Sequence, residues 1–267
     1  MNFFNVEGFG GHPDPTEAQL RWQVFTSLAY GAKGVLCYCY RREGRALCGN
    51  GGVLYNKAPV GQPGVLMRGR HYADATRINS VLKIYGAHLL TAVSTGVYRV
   101  QLPNSGDTGI TNTCTTGSRD CPTGEQPDSN LSALSIQPVD VAVSSLRPGN
   151  GLLVGQFRLA DGRVALLMHN QNWDSTLWPT IAFKRDVNAS MVLELDPVTG
   201  IEAIVLDDSP GPTLQLAFGA AEARLLMLPL VTKAGKVLAK TVIGRARPRR
   251  VASAAATCLP PLPAAGP

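Results

Sequence analysis

Apolar positions in the first ninety residues alternate between strand-like runs and a helical period. Phe3-Phe4-Asn5-Val6 is a short apolar run that stops at Glu7-Gly8, the pattern of a buried strand meeting a loop. Asp14 is placed to cap a helix, Pro15 suits its first turn, and Glu17 stands at the capping-box position. Leu20, Val24 and Leu28 then recur every fourth residue beside Phe25, predicting an apolar helix stripe that ends at Gly31. Val35 to Tyr40 reads as a near-continuous apolar strand, as expected inside a parallel sheet. A glycine-rich loop is expected over 41–70, and a second helix over 71–90, with Ile78, Leu82, Tyr85 and Leu89 on one face. Strand, helix, strand, loop, helix is the order of a β/α barrel or a doubly wound sheet.

The pattern then changes. Residues 102–138 are rich in Ser, Thr, Gly, Asp and Pro without apolar periodicity, and predict an insertion or linker. Seven short strands are expected at 152–158, 164–170, 179–183, 192–196, 203–206, 213–218 and 223–229. Turn signals separate them: Ala-Asp-Gly at 160–162, Asp-Pro-Val-Thr-Gly at 196–200 and Ser-Pro-Gly-Pro at 209–212. Many short strands at such spacing point to an antiparallel β-sandwich. The expected organisation is α/β plus all-β: the terminal part of a (β/α)8 barrel over 1–101, a polar insertion over 102–138, the β-sandwich over 139–231, and a disordered Ala/Pro-rich basic tail over 232–267.

Composition narrows the function classes. The net charge of +6 is concentrated in that tail, where Lys233, Lys236, Lys240, Arg245, Arg247, Arg249 and Arg250 stand without interleaved aromatics. The remainder is close to neutral, so the tail reads as a solvated extension and no nucleic-acid partner is expected. No apolar stretch is long enough to span a bilayer, so no membrane partner is expected either. The six cysteines form no CxxC pair, which argues against a zinc ribbon. Cys37 and Cys39 share a face of their strand; Cys114 and Cys121 flank a polar loop and are compatible with a small disulfide ring or with two free thiols. Asn130-Leu-Ser and Asn188-Ala-Ser fit the glycosylation sequon. The opening MNFFNVEGFGG is not a signal peptide, and it enters a strand directly, so a natural start further upstream is expected.

The string from Pro15 to Phe25, followed by Leu28-Ala29-Tyr30-Gly31-Ala32-Lys33-Gly34-Val35, resembles the last helix-to-strand unit of the barrel in retaining glycoside hydrolases of the β-galactosidase-like clan. Arg70-His71-Tyr72 and Ser94-Thr95-Gly96-Val97-Tyr98 continue the resemblance. Val154-Gly155-Gln156-Phe157, Ala160-Asp161-Gly162-Arg163 and Leu193 to Gly200 resemble the C-terminal β-domain of such enzymes. Two features depart from the pattern: Arg41-Arg42 stands where a Trp-containing loop would fit the family better, and the polar insertion is long. The resemblance implies a carbohydrate substrate and no cofactor or metal. Retaining glycosidases use two carboxyl groups about 5–5.5 Å apart, and in this clan the resemblance puts them at the ends of barrel strands four and seven. If Phe3–Val6 is strand seven, Glu7 is the nucleophile at its C-terminal end, and the acid/base is not on this polypeptide. The chain alone is therefore expected to lack glycosidase activity.

Other candidates rank below Glu7. His12 follows Gly10-Gly11 and is a possible sugar-subsite residue. Tyr38 and Tyr40 end the second strand and leave it on the same side, toward either the barrel interior or the helices. Glu17 reads as a helix cap and Arg21 as a surface or packing residue. Asp161, Asp196, Asp207 and Asp208 read as turn residues, and Trp173 and Trp178 as rings that pack the β-domain onto the barrel or stack on sugar. The competing reading is a non-catalytic carbohydrate-binding or structural β-domain with a vestigial barrel piece.

Overall fold

A computed structural model of the chain describes residues 2–8, 13–38, 40–43, 52–56, 64, 66–100, 134–138, 151–183, 189–205 and 213–228. The first part holds β1 (Asn2–Asn5), α1 (Glu17–Ala29), β2 (Val35–Tyr38), β3 (Arg41–Glu43), β4 (Leu54–Asn56), β5 (Leu66–Arg68) and α2 (Tyr72–Leu89). The second holds β6 (Val93–Val100), β7 (Leu134–Pro138), β8 (Leu152–Arg158), β9 (Val164–Asn170), β10 (Pro179–Phe183), β11 (Leu193–Leu195), β12 (Glu202–Ile204), β13 (Thr213–Gln215) and β14 (Ala223–Met227).

β1 and β2 pair in parallel, with Phe3 opposite Leu36 and Asn5 opposite Tyr38. Phe4, Val6 and Val35 are buried in the cluster that contains Leu20 and Val24 of α1. Phe3 and Tyr38 turn the other way and are 69% and 47% exposed. The parallel pair is thus covered on its α1 face and carries apolar side chains on the other. α1 begins two residues later than its Asp14 signal suggests. Thr16 is the N-cap, and its side chain and that of Gln19 form the capping box. Asp14-Pro15-Thr16-Glu17 offers two capping frames, and Asp14 is engaged elsewhere, as described below. α1 ends in a Schellman motif: Gly31 has φ +83, its N–H donates to the Leu28 carbonyl at 2.8 Å, and that of Ala32 donates to Ser27 at 3.0 Å.

β3, β4 and β5 form a small sheet within the stretch expected as a loop. Six strands make the large antiparallel sheet, in the order β12-β11-β14-β9-β8-β6. β6 pairs with β8 from Val93 opposite Arg158 to Val100 opposite Leu152, so residues 93–100, assigned to the barrel part from sequence, lie in this sheet. β7, inside the expected insertion, pairs with β10 in a three-stranded sheet that β13 completes.

The large sheet has two buried faces. Val97, Leu153, Phe157, Leu167 and Leu225 share one core with α1 and α2. Tyr98, Val154, Leu166, Met168 and Leu226 share a second core with Ile181 and Leu214. This double burial explains why β8 and β9 read as continuous apolar runs and not as alternating ones. α1 is therefore apolar on more than one side: Leu20, Val24, Phe25 and Ala29 are all buried between the parallel pair and the large sheet.

Lys33, next to the Gly31 turn, donates from Nζ to the carbonyls of Leu89 and Ala92, both at 2.6 Å. It thus satisfies an orphan carbonyl at the C-terminus of α2, where the helix dipole favours a cation. Lys33→Met should lower stability by about 1 kcal/mol. Gly31→Ala, which places a Cβ 3.0 Å from Ser94 Cβ at a positive φ, should lower it by about 1–2 kcal/mol. Thermal melts followed by circular dichroism check both; an unchanged midpoint for Lys33→Met would remove the capping role.

Candidate functional site

The ends of the two parallel strands are tied together. Asn2 N–H donates to the Gly34 carbonyl at 3.1 Å, and Val6 N–H donates to the Tyr38 carbonyl at 2.8 Å. Residues of even number in β1 thus address β2, and Asn5 directs its backbone groups to the opposite edge. There the Gln23 side chain meets both: Asn5 N–H donates to Gln23 Oε1 at 2.7 Å, and Gln23 Nε2 donates to the Asn5 carbonyl at 3.1 Å. Asn2 Nδ2 donates to Ser27 Oγ at 2.7 Å. Gln23 and Ser27, four residues apart, form the polar stripe of α1 that lies along β1; Gln23 Nε2 also donates to the Gln19 carbonyl at 3.3 Å.

Glu7 follows at the C-terminal end of β1 and is fully buried, with its backbone N–H donating to Asn5 Oδ1 at 3.3 Å. A carboxyl group held out of water at a strand end is placed for nucleophilic or acid–base chemistry, provided a substrate atom can reach it. Tyr38 lies alongside, on the exposed face. Tyr40 sits in a different environment, packed against the core that contains α1 and α2. Its hydroxyl is buried without a hydrogen-bond partner, and burial, with Tyr72 nearby, raises its pKa. His12 lies outside the described residues, as do Cys114, Cys121, Asp207, Asp208, the sequon asparagines Asn130 and Asn188, and the basic tail. Cys37, beside Tyr38, is disulfide-bonded.

A polar cluster joins the N-terminal ends of the two helices. His71 is buried, with Nε2 3.0 Å from Asp14 Oδ1 and Nδ1 3.0 Å from Asp74 Oδ2. Arg70 pairs with the second oxygen of Asp14. Arg77 donates from Nε and Nη2 to the two oxygens of Glu17, each at 3.0 Å, and Arg21 Nη1 donates to Glu17 at 3.0 Å. The Arg77 bond is the main cause that holds the Glu17 carboxyl below its ordinary range. Glu17 thus pins α2 to α1 and does not cap its own helix. The partnerships between the two helices were not legible locally, because Asp14 and His71 are 57 residues apart and Glu17 and Arg77 are 60 apart; only the Arg70-His71-Tyr72 string marked the position.

In the β-part, Trp173 packs edge-on against Trp22 of α1 with ring centroids 5.4 Å apart, while Trp178 is 52% exposed. Asp196 accepts from Val198 N–H at 2.9 Å and Thr199 N–H at 2.6 Å, the geometry of a turn. Asp161 serves its turn in the same way, through Arg163 N–H at 3.0 Å. Among the described residues no group of three His, Cys, Asp or Glu is arranged to hold a metal ion, and no helix is long and apolar enough to cross a membrane.

The described residues define a mixed α/β plus β protein, in which a parallel strand pair with its helices packs on a six-stranded antiparallel sheet and a buried glutamate closes the first strand. No family model matches the chain, and no curated protein or solved structure matches it either.

Proposed function

We propose that this chain is the C-terminal part of a retaining glycoside hydrolase, with residues 1–101 containing the closing end of a (β/α)8 barrel, the β-part a C-terminal sandwich, and Glu7 the nucleophile. The observation that carries the reading is the fully buried Glu7 at the C-terminal end of the first of two parallel strands, the end of a β/α barrel that carries catalysis. The exposed Phe3 and Tyr38 add support. Parallel sheets are covered on both faces, and the interior of a closed barrel would cover this one. Tyr38 then lines the sugar site beside Glu7, and Tyr40 and His12 are the further residues proposed for it. The acid/base belongs to a strand that two parallel strands do not include, so the isolated 267-residue chain should hydrolyse no aryl glycoside.

The test is the reading frame upstream of Met1. Six strand–helix repeats with a glutamate closing the fourth are expected. The extended protein should cleave aryl glycosides with retention, and Glu7→Gln should lower its kcat by roughly a thousandfold or more. A frame without such repeats, or turnover by the isolated chain, would overturn the proposal.

One observation favours the second reading, a non-catalytic carbohydrate-binding or structural β-domain. The Gln23 amide occupies the outer-edge backbone groups of Asn5, which a neighbouring barrel strand would need. Trp178 would then be the exposed ring available to a sugar face.

A further inference from the structure

A cavity of about 260 Å³ lies on the far side of α1 from β1, between α1, α2 and the turns at Pro197 and Gly219–Ala223. Its α1 wall is Glu17, Arg21 and Phe25, whereas Gln23 and Ser27 face β1. Residues two apart on a helix are about 200° apart around its axis, so the two stripes are on opposite sides. The cavity is therefore separate from the Glu7 end of the strands, and no role described above uses it.

The polar groups of this cavity are held in place but incompletely used. Arg21 donates from Nη1 to Glu17 at 3.0 Å and from Nη2 to the Ala220 carbonyl at 2.9 Å, and each nitrogen keeps a second N–H. Arg77 directs Nε and Nη2 at Glu17, and Nη2 also at Asp74, which leaves Nη1. Glu222 accepts from Gly219 N–H through Oε2 at 2.6 Å, which leaves Oε1. Apolar surface from Phe25, Val81 and Pro197 lies between these groups. The two guanidinium groups and two carboxylates balance, so the cavity has little net attraction for an ion. Both guanidinium groups already use Glu17 as their anion, so neither presents the two-pronged face that binds a carboxylate or phosphate. What remains is single donors and one acceptor around an apolar wall. Hydroxyl groups, which donate and accept at once, satisfy both kinds. The volume falls just below the roughly 300–1,000 Å³ of sites for drug-sized ligands, so the space suits a molecule of one ring.

We propose that this cavity binds a neutral, polyhydroxylated molecule of monosaccharide size, with Glu222 accepting from its hydroxyls and Arg21 and Arg77 donating to them. The proposal does not rest on the Glu7 reading and would stand if Glu7 were purely structural.

The test is calorimetric titration of the full chain with a panel of hexoses, with leucine and inorganic phosphate as the zwitterionic and anionic comparisons. Saturable binding of at least one hexose is expected. Glu222→Gln should weaken it at least tenfold, and Val81→Phe, which fills the apolar wall, should abolish it. Melting curves establish that each variant is folded; should Val81→Phe not fold, the Glu222→Gln result decides. Absence of saturable hexose binding, equal or tighter binding of leucine or phosphate, or indifference to Glu222→Gln would each overturn the proposal.

Discussion

Gly155→Ala should be the most damaging single-methyl change in this protein. A Cβ at that position of β8 would stand 2.5 Å from the Ala29 carbonyl oxygen and 2.8 Å from Ala29 Cα. Both obstacles are backbone, so no side chain can swing aside. The C-terminal turn of α1 would have to lift off the sheet, taking with it the packing of Val24, Phe25 and Ala29 in the shared core. Overpacking of this kind costs about 3 kcal/mol, equivalent to a fall in melting temperature of roughly 10 °C for a chain of this size. Gly86→Ala is the internal control. It lies within α2 with nothing within 4 Å of the added Cβ, so alanine should raise stability by about 0.5–1 kcal/mol. Thermal melts of the two variants should move in opposite directions. A neutral Gly155→Ala would mean that α1 and β8 do not approach as closely as described.

The second large effect is in acid. His169 is fully buried beneath α1, its ring centroid 6.1 Å from that of Phe25, and its Nδ1 lies 3.2 Å from the Glu222 carbonyl oxygen. Burial dominates and pushes its pKa down to about 4. The folded state therefore holds His169 neutral, while the unfolded chain takes up a proton near pH 6.5. Stability from this group is fully present above pH 6.5 and is lost progressively as pH falls toward 4, by about 3 kcal/mol in all. Denaturant titrations between pH 7 and 4 should show that loss, and His169→Leu should flatten it even if it is less stable at pH 7. A wild-type midpoint that does not move over this range would show that the ring is not shielded from water.

The seven strands expected over 152–229 are all found, and β8, β9 and β10 match their expected bounds. β8 and β9 were readable residue for residue because both faces of the sheet are buried and both strands end at clear turns. β6 was not legible as a strand because Val93-Ser94-Thr95-Gly96 follows α2 without a turn signal. Its bulge between Ser94 and Gly96 also breaks the alternation that would mark a pairing partner. β7 was hidden by polar surroundings, and β3 to β5 by glycines. The candidate site was legible only where it follows from a strand ending, as for Glu7. Gln23 on the Asn5 backbone and the Asp14–His71–Asp74 cluster depend on how the helices meet the strands, and no local pattern encodes that. Asn170 is a similar case. Its Nδ2 donates to the carbonyls of Ser175 and Gly219, both at 2.9 Å, and its Oδ1 accepts from Asn172 N–H at 2.9 Å, which fixes the loop that carries Trp173.

The burial of α1 on both sides has a consequence for how such a chain can be inherited. Tyr85 of α2 donates its hydroxyl to the Ala223 carbonyl at 3.1 Å, Arg21 of α1 reaches Ala220, and Trp22 meets Trp173. The boundary between the helical part and the sheet therefore runs through the middle of a hydrophobic interior and not through a linker. A genetic crossover at Ala92 would strip each half of the surface the other supplies. The helices and the six-stranded sheet should travel between genomes as one block, and exchange should be tolerated only where α1 and its sheet move together.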